Sequence, residues 1–184
     1  MRKPRIWELK TKWDIAETVS FNTGNFSEPM AFSLRAWEHL AKRRGEFDLV
    51  HDNQCLGWGL LLMQRREGLP VLSTIHHPIT VDRRLEIAHA RTRWERFGKR
   101  RWYSFTKMQT QVAKRMTRVM TVSESSAKDI ASDHRVDPGR IHVVPVGVDP
   151  ELFLPVPGVQ RVPGRIVTTA SADVAMKGLK YLLE

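Results

Sequence analysis

"GLPVLSTIHHPITVDRR", residues 68–84, is an apolar run that stops abruptly at two adjacent histidines. Val71, Leu72 and Ile75 call for burial, and a short apolar run after a helix-ending glycine reads as a strand of a covered sheet. The strand leaves the sheet at His76 and His77, just before a proline and two arginines. The same texture recurs on either side. "FDLVHD", 47–52, ends in Asp52 with Asn53 next; "RVMTVSE", 118–124, ends in Ser123 and Glu124; "RIHVVPVGVD", 140–149, ends on Pro145 and Gly147.

Helical stretches separate these strands. "SEPMAFSLRAWEHLAKRRG", 27–45, offers Ser27 as N-cap, Pro29 in the first turn, a stripe of Phe32, Leu34, Trp37 and Leu40, and Gly45 as a stop. "CLGWGLLLMQRREG", 55–68, closes at Gly68. Between Val81 and Arg118 the spacing of Trp94, Phe97, Phe105, Met108, Val112 and Met116 predicts one or two helices with one face turned inward. "SESSAKDIASDH", 123–134, follows as a serine-capped helix. Residues 1–26 give a loop around Asn22, Gly24 and Asn25 and no further element. Strand and helix alternating at this spacing predict an α/β fold with a parallel, doubly wound sheet, its strands covered on both faces.

The texture changes after Asp149. Pro150, Pro155, Pro157 and Pro163 mark a linker over 150–163. A strand at Arg165–Thr169, a loop and a helix running to Glu184 then open a second unit. The expected organisation is therefore a first domain over 1–149, the linker, and the start of a second domain over 164–184. One strand and half a helix cannot cover their own faces, and no strand with a glycine-rich turn opens the first domain. The chain is expected to be a piece from the middle of a longer protein.

Composition narrows the partners. The 184 residues are 41% hydrophobic, enough for a real core, and no apolar run reaches the ~18–20 residues of a membrane span. The basic opening lacks the apolar segment of a signal peptide. Cys55 is the single cysteine, so no disulfide forms within the chain, in keeping with a reducing cytoplasm. A net charge of +10 points to nucleic acid, an anionic lipid surface or a phosphorylated small molecule, or to a solvated basic face. Much of it sits in Arg83, Arg84, Arg91, Arg93, Arg96, Lys99, Arg100 and Arg101, interleaved with Trp94 and Trp102. That pattern suits a membrane surface or, as the disfavoured alternative, nucleic acid.

In open α/β sheets ligands bind beyond the carboxyl ends of the strands. Asp52, Asn53, His76, His77, Ser123 and Glu124 all reach that edge, which predicts a polar cleft; the plain alternative is that the histidines cap a turn. A metal site from His51, Cys55, His76 and His77 matches no ligand spacing, and none is expected. No Gly-x-Ser-x-Gly surrounds the serines at 123, 125 and 126, which suits a cap and not a nucleophile. In "ASADVAMKGLKYLLE", 170–184, Lys177 and Gly178 at a helix start outline an anion site; the alternative is a solvated lysine beside a turn glycine.

Five segments in register resemble the nucleotide-sugar-dependent glycosyltransferases of family 4, which have the GT-B fold: "FDLVHDNQ", "PVLSTIHH", "RVMTVSESSAKDI", "RIHVVPVGVDPELFLP" and "ASADVAMKGLKYLLE". The resemblance covers residues 46–184. It implies two Rossmann-like domains, an incomplete acceptor-side domain and the first strand and helix of a donor-binding one. It implies sugar transfer from a nucleoside diphosphate sugar with retention of configuration, to a sugar, lipid or glycan acceptor, with no metal or other cofactor. His76 matches the family's active-site histidine. Asp52, Asn53, His77, Ser123, Glu124 and Gly147 are the expected substrate contacts. Lys177, with Gly178, matches the lysine-glycine pair that holds the donor diphosphate; Ser171 stands where the family has an arginine, and Val146 where it has an asparagine. A cytoplasmic location, with peripheral contact to anionic membrane, follows from the same resemblance.

Overall fold

A computed structural model describes residues 6–155, 157–169 and 179–184. These fall into two compact units, one ending at Val144 and one beginning at Pro145. The first unit runs α1 (Lys12–Asn22), α2 (Glu28–Ala41), β1 (Val50–Asn53), α3 (Trp58–Arg66), β2 (Val71–Thr74), α4 (Ile79–Ala88), α5 (Arg93–Trp102), α6 (Thr106–Ala113), β3 (Arg118–Thr121), α7 (Glu124–His134) and β4 (Ile141–Val143).

The four strands form one parallel sheet in the order β1-β2-β3-β4, with Val50 beside Val71, Leu72 beside Arg118 and Val119 beside Ile141. The order never reverses among the described strands, so the sheet is wound in one direction, where the sequence pattern predicts a doubly wound one. Consecutive crossovers of one hand place their helices on one face. Burial largely follows suit, alternating along β1 and β3, while β2 also buries Thr74 in the opposite register. Asp52, Val71, Ser73, Val119 and Thr121 point into the core, while His51, Asn53, Arg118 and His142 stand exposed in the alternate register. The expected equal coverage of both faces is thus corrected: one face carries the core, and the other buries Thr74 and half-buries Leu72 and Met120. Phe47 and Leu49, expected within the first strand, lie ahead of it and exposed.

The core joins Leu56, Leu60 and Met63 of the β1–α3 turn and α3 to Val71 and Ile75, Val119, Met108 and Val112 of α6, Met116, and Ile130 of α7. Helix α3 sits close against α2. A Cβ at Gly59 would fall on the Ser33 carbonyl, and one at Gly57 on the Ser33 hydroxyl, which instead accepts the Gly59 N–H at 3.2 Å. Only glycine permits that approach. Phe32 consequently faces solvent, and Ala31, Ser33 and Leu34 form the inner face of α2. Ser27 occupies the N-cap position without capping; its hydroxyl donates to the Glu17 carbonyl at 3.4 Å.

Helix α1 precedes the expected loop, which forms as turn and coil over Thr23, Gly24 and Asn25. The signal for α1 is Thr11-x-x-Asp14, a capping box in which Thr11 Oγ1 accepts from Asp14 N at 3.2 Å and Asp14 Oδ2 from Thr11 N at 2.7 Å. Arg35 of α2 ties the helix down through Asp14 and Glu17, at 2.9 and 2.7 Å. The stretch from Val81 to Arg118 becomes three helices, because Thr92 caps a fresh start at α5. Phe105, Met108, Val112 and Met116 are buried as expected, but Trp94 is 83% exposed and Phe97 53%. Helix α5 turns these rings outward in an edge-to-face pair at 6.4 Å and fastens through Trp102, 5.2 Å from the Phe26 ring.

In the second unit the described residues comprise turns, extended chain and a short helix, α8 (Leu179–Leu183). The expected strand at Arg165–Thr169 is not formed. A parallel strand exists only against a partner, and none is present for it among the described residues.

His134, at the end of α7, is buried and joins Thr110 Oγ1 through Nδ1 at 3.0 Å. Burial holds its pKa below the ordinary 6.5. The unfolded chain therefore takes up the proton first, and stability present above about pH 6.5 is lost as pH falls through that value toward the folded pKa. Denaturant midpoints at pH 7.5 and 5.5 should show this decline, and His134→Gln should flatten it. Gly59→Ala should cost about 3 kcal/mol by overpacking, whereas Gly98→Ala on α5, with nothing within 4 Å, should be neutral or stabilising.

Candidate functional site

The carboxyl edge of the sheet is shaped by the turn after β1. Gln54 and Leu56 both adopt left-handed backbone, at φ 60° and 50°, a conformation that costs non-glycine residues about 1–3 kcal/mol each. Three contacts hold it. Leu56 is driven into the core at 1% exposure. The Asp52 carboxylate accepts the Cys55 and Leu56 N–H groups at 3.2 and 3.3 Å. Gln109 of α6 donates to the Gln54 and Cys55 carbonyls at 3.2 and 3.3 Å.

The left-handed turn aims the Gln54 side chain at the end of β2. Its Oε1 accepts the His76 N–H at 2.8 Å, and its Nε2 donates to the His77 carbonyl at 2.9 Å. One amide thereby clamps the backbone of both histidines. Beside it, Asn53 Oδ1 lies 2.8 Å from His76 Nε2. A carbonyl oxygen only accepts, so Nε2 carries the proton in this pair. His77 Nε2 approaches Asp82 Oδ2 of α4 at 3.5 Å. Asn53, Gln54, His76 and His77 are thus brought together.

Asp52 and Ser123 are engaged by their own elements. Asp52 points into the covered face; burial pushes its carboxyl above the ordinary value, against the pull of the two N–H groups it accepts. It shapes the turn and does not share the His76 surface. Ser123 caps α7, accepting the Ser126 N–H at 3.1 Å, with Glu124 exposed in the first turn. Gly147 belongs to the second unit. Ser171, Lys177 and Gly178 lie outside the described residues.

Cys55 donates its Sγ–H to the Pro29 carbonyl at 3.2 Å, and burial pushes its thiol up to about 12. It offers no thiolate at neutral pH. Among the described residues no group of three or more His, Cys, Asp or Glu is placed to hold a metal ion.

Sequence reading missed Gln54 and Gln109. Gln54 closes the quoted "FDLVHDNQ", and Gln109 sits on the inward stripe of Met108 and Val112, a buried polar residue where an apolar one is the default.

Two comparisons bear on this edge. The model of the family described as Glycosyltransferase Family 4 matches residues 13–152. An "MMP alpha-(1->4)-mannosyltransferase" of Mycolicibacterium hassiacum is 51% identical over 182 residues, which is 99% of this chain and 43% of the relative. The chain thus spans less than half the length of that relative.

Gln54→Ala should remove the exchange protection of the His76 amide and lower stability by about 1–2 kcal/mol. Amide hydrogen exchange read by NMR checks it: an unchanged His76 rate would mean the clamp does not hold the loop.

Proposed function

The chain belongs to glycosyltransferase family 4, and on that premise we propose that the protein carrying it transfers a mannosyl group. The donor is a nucleoside diphosphate sugar, the acceptor a hydroxyl of a sugar, lipid or glycan, and the configuration is retained. The mannosyl group is taken from the relative's name. The observation that supports the reading is the Asn53–His76 pair, held at the carboxyl edge by Gln54 and lying inside the matched segment.

In the proposed reaction the bond between the sugar's C1 and the donor diphosphate breaks, the electron pair leaves with the diphosphate, C1 bonds to the acceptor oxygen, and the acceptor's hydroxyl proton passes to the leaving diphosphate. His76, its Nε2–H directed at Asn53, presents Nδ1 to accept from a hydroxyl of the transferred sugar. Gln54 and Asn53 are positioning residues; a fixed imidazole orients the sugar without reorganising as charge develops. Lys177 opposes the charge on the leaving diphosphate, and Ser171 and Gly178 are the other proposed contacts to it. No metal or cofactor takes part.

The division into an acceptor-side domain over 1–149, a linker over 150–163 and the start of a donor-binding domain from 164 is part of the same proposal, as is a cytoplasmic location. Among the described residues no helix is long and apolar enough to cross a membrane. Peripheral contact with an anionic membrane is favoured by α5, whose outward Trp94 and Phe97 are flanked by Arg93, Arg96 and Arg100.

In the protein carrying this chain, His76→Ala should lower mannosyl transfer at least a hundredfold with donor binding retained, and Asn53→Ala about tenfold through kcat. Lys177→Ala should weaken donor binding itself. Transfer from a nucleoside diphosphate mannose, with donor affinity measured alongside, tests all three; wild-type turnover in His76→Ala removes the assignment.

A further inference from the structure

A concave site whose lining includes none of Asn53, Gln54, His76 and His77 lies between α4, α6 and the end of α7. It encloses about 450 Å³ and is lined by five cationic side chains, Arg83, Arg84, Lys107, Lys114 and Arg135, against one carboxylate, Asp133. Asp133 is already engaged. Thr80 Oγ1 donates to it at 2.5 Å and Arg84 at 2.7 Å. Burial works against its charge, but these two donors hold the carboxyl below its ordinary value. Arg84 and Asp133 therefore cancel, and four cations remain.

None of those four meets a carboxylate among the described residues. Arg83 is the telling one. Its Nε is buried and has no hydrogen-bond partner. A buried unpaired donor costs folding free energy and is rare in folded proteins, more so when it is charged. Solvation of a basic face accounts for Lys107 and Lys114, which are exposed, but not for a guanidinium donor withdrawn from water and left unpaired. Arg135 caps α7 in a left-handed conformation, at φ 54°, which sets its side chain off the end of the helix.

We propose that this pocket binds the phosphate or diphosphate group of a soluble ligand, at a site separate from sugar transfer. A guanidinium fork with lysines around it matches a multi-oxygen dianion, and arginine binds phosphate with directed paired hydrogen bonds. The volume is that of a small-molecule site, whereas a nucleic acid backbone calls for a continuous groove.

The test is calorimetric titration with inorganic pyrophosphate at low ionic strength, on a Lys177→Ala background so that the proposed donor clamp does not contribute. Arg83→Gln should weaken binding at least tenfold. Arg93→Gln with Arg100→Gln, which removes two charges from α5, should leave it within twofold. If Arg83→Gln fails to fold, Lys107→Gln with Lys114→Gln, both at exposed positions, carries the same expectation. Absence of pyrophosphate binding, an equal loss in the α5 pair, or association confined to phosphatidylglycerol vesicles would each overturn the proposal.

Discussion

The left-handed turn of Gln54 and Leu56 governs the carboxyl edge, because it converts a strand end into a support for its neighbour. Without the reversal of backbone hand, the Gln54 amide would not reach the end of β2, and His76 would hang from the sheet on its own rotamer preferences. The strain is opposed from three directions: apolar burial of Leu56, the Asp52 carboxylate, and the Gln109 amide from α6. Together they make Asn53 and His76 a preorganised pair, which is how a scaffold contributes to a reaction without touching the substrate.

The one-sided winding has consequences for charge as well. With α3, α6 and α7 against the inner face, the outer face presents His51 on β1 and, beyond β2, Arg118 and His142 on the adjoining β3 and β4. The basic excess is therefore not one patch. Lys99 bridges Glu86 and Glu95, Arg101 holds the Thr23 carbonyl, and Arg35 fastens α1; these are structural cations. Arg83, Lys107, Lys114 and Arg135 converge on a cavity instead. The number of arginines says little about partners until each is assigned an acceptor or found to lack one.

Close packing at α2–α3 shows the same dependence on local permission. Gly57 and Gly59 let α3 approach Ser33, which positions Leu60 and Met63 in the core and anchors the far end of the β1 turn. The periodic stripe read along α2 holds at Leu34, Trp37 and Leu40 and fails at Phe32. Ser33 is small enough to lie against Gly57 and Gly59, so it turns inward with Ala31, and Phe32 turns out.

Four strands, their order along the chain, and the residues at their carboxyl ends were legible because strand and helix periodicity and their breakers are local properties of the chain. So were the Ser123 cap and the inward face of α6 through Met108 and Val112. Helix α1 was legible in Thr11-x-x-Asp14 and was overlooked. What only the tertiary structure decided was which polar tips meet. Register sends Asp52 inward and Asn53 outward, and a positive φ at Gln54 selects His76 as the partner of Asn53. Such pairings join residues more than twenty positions apart, and their free energy depends on burial and backbone strain that no local pattern records.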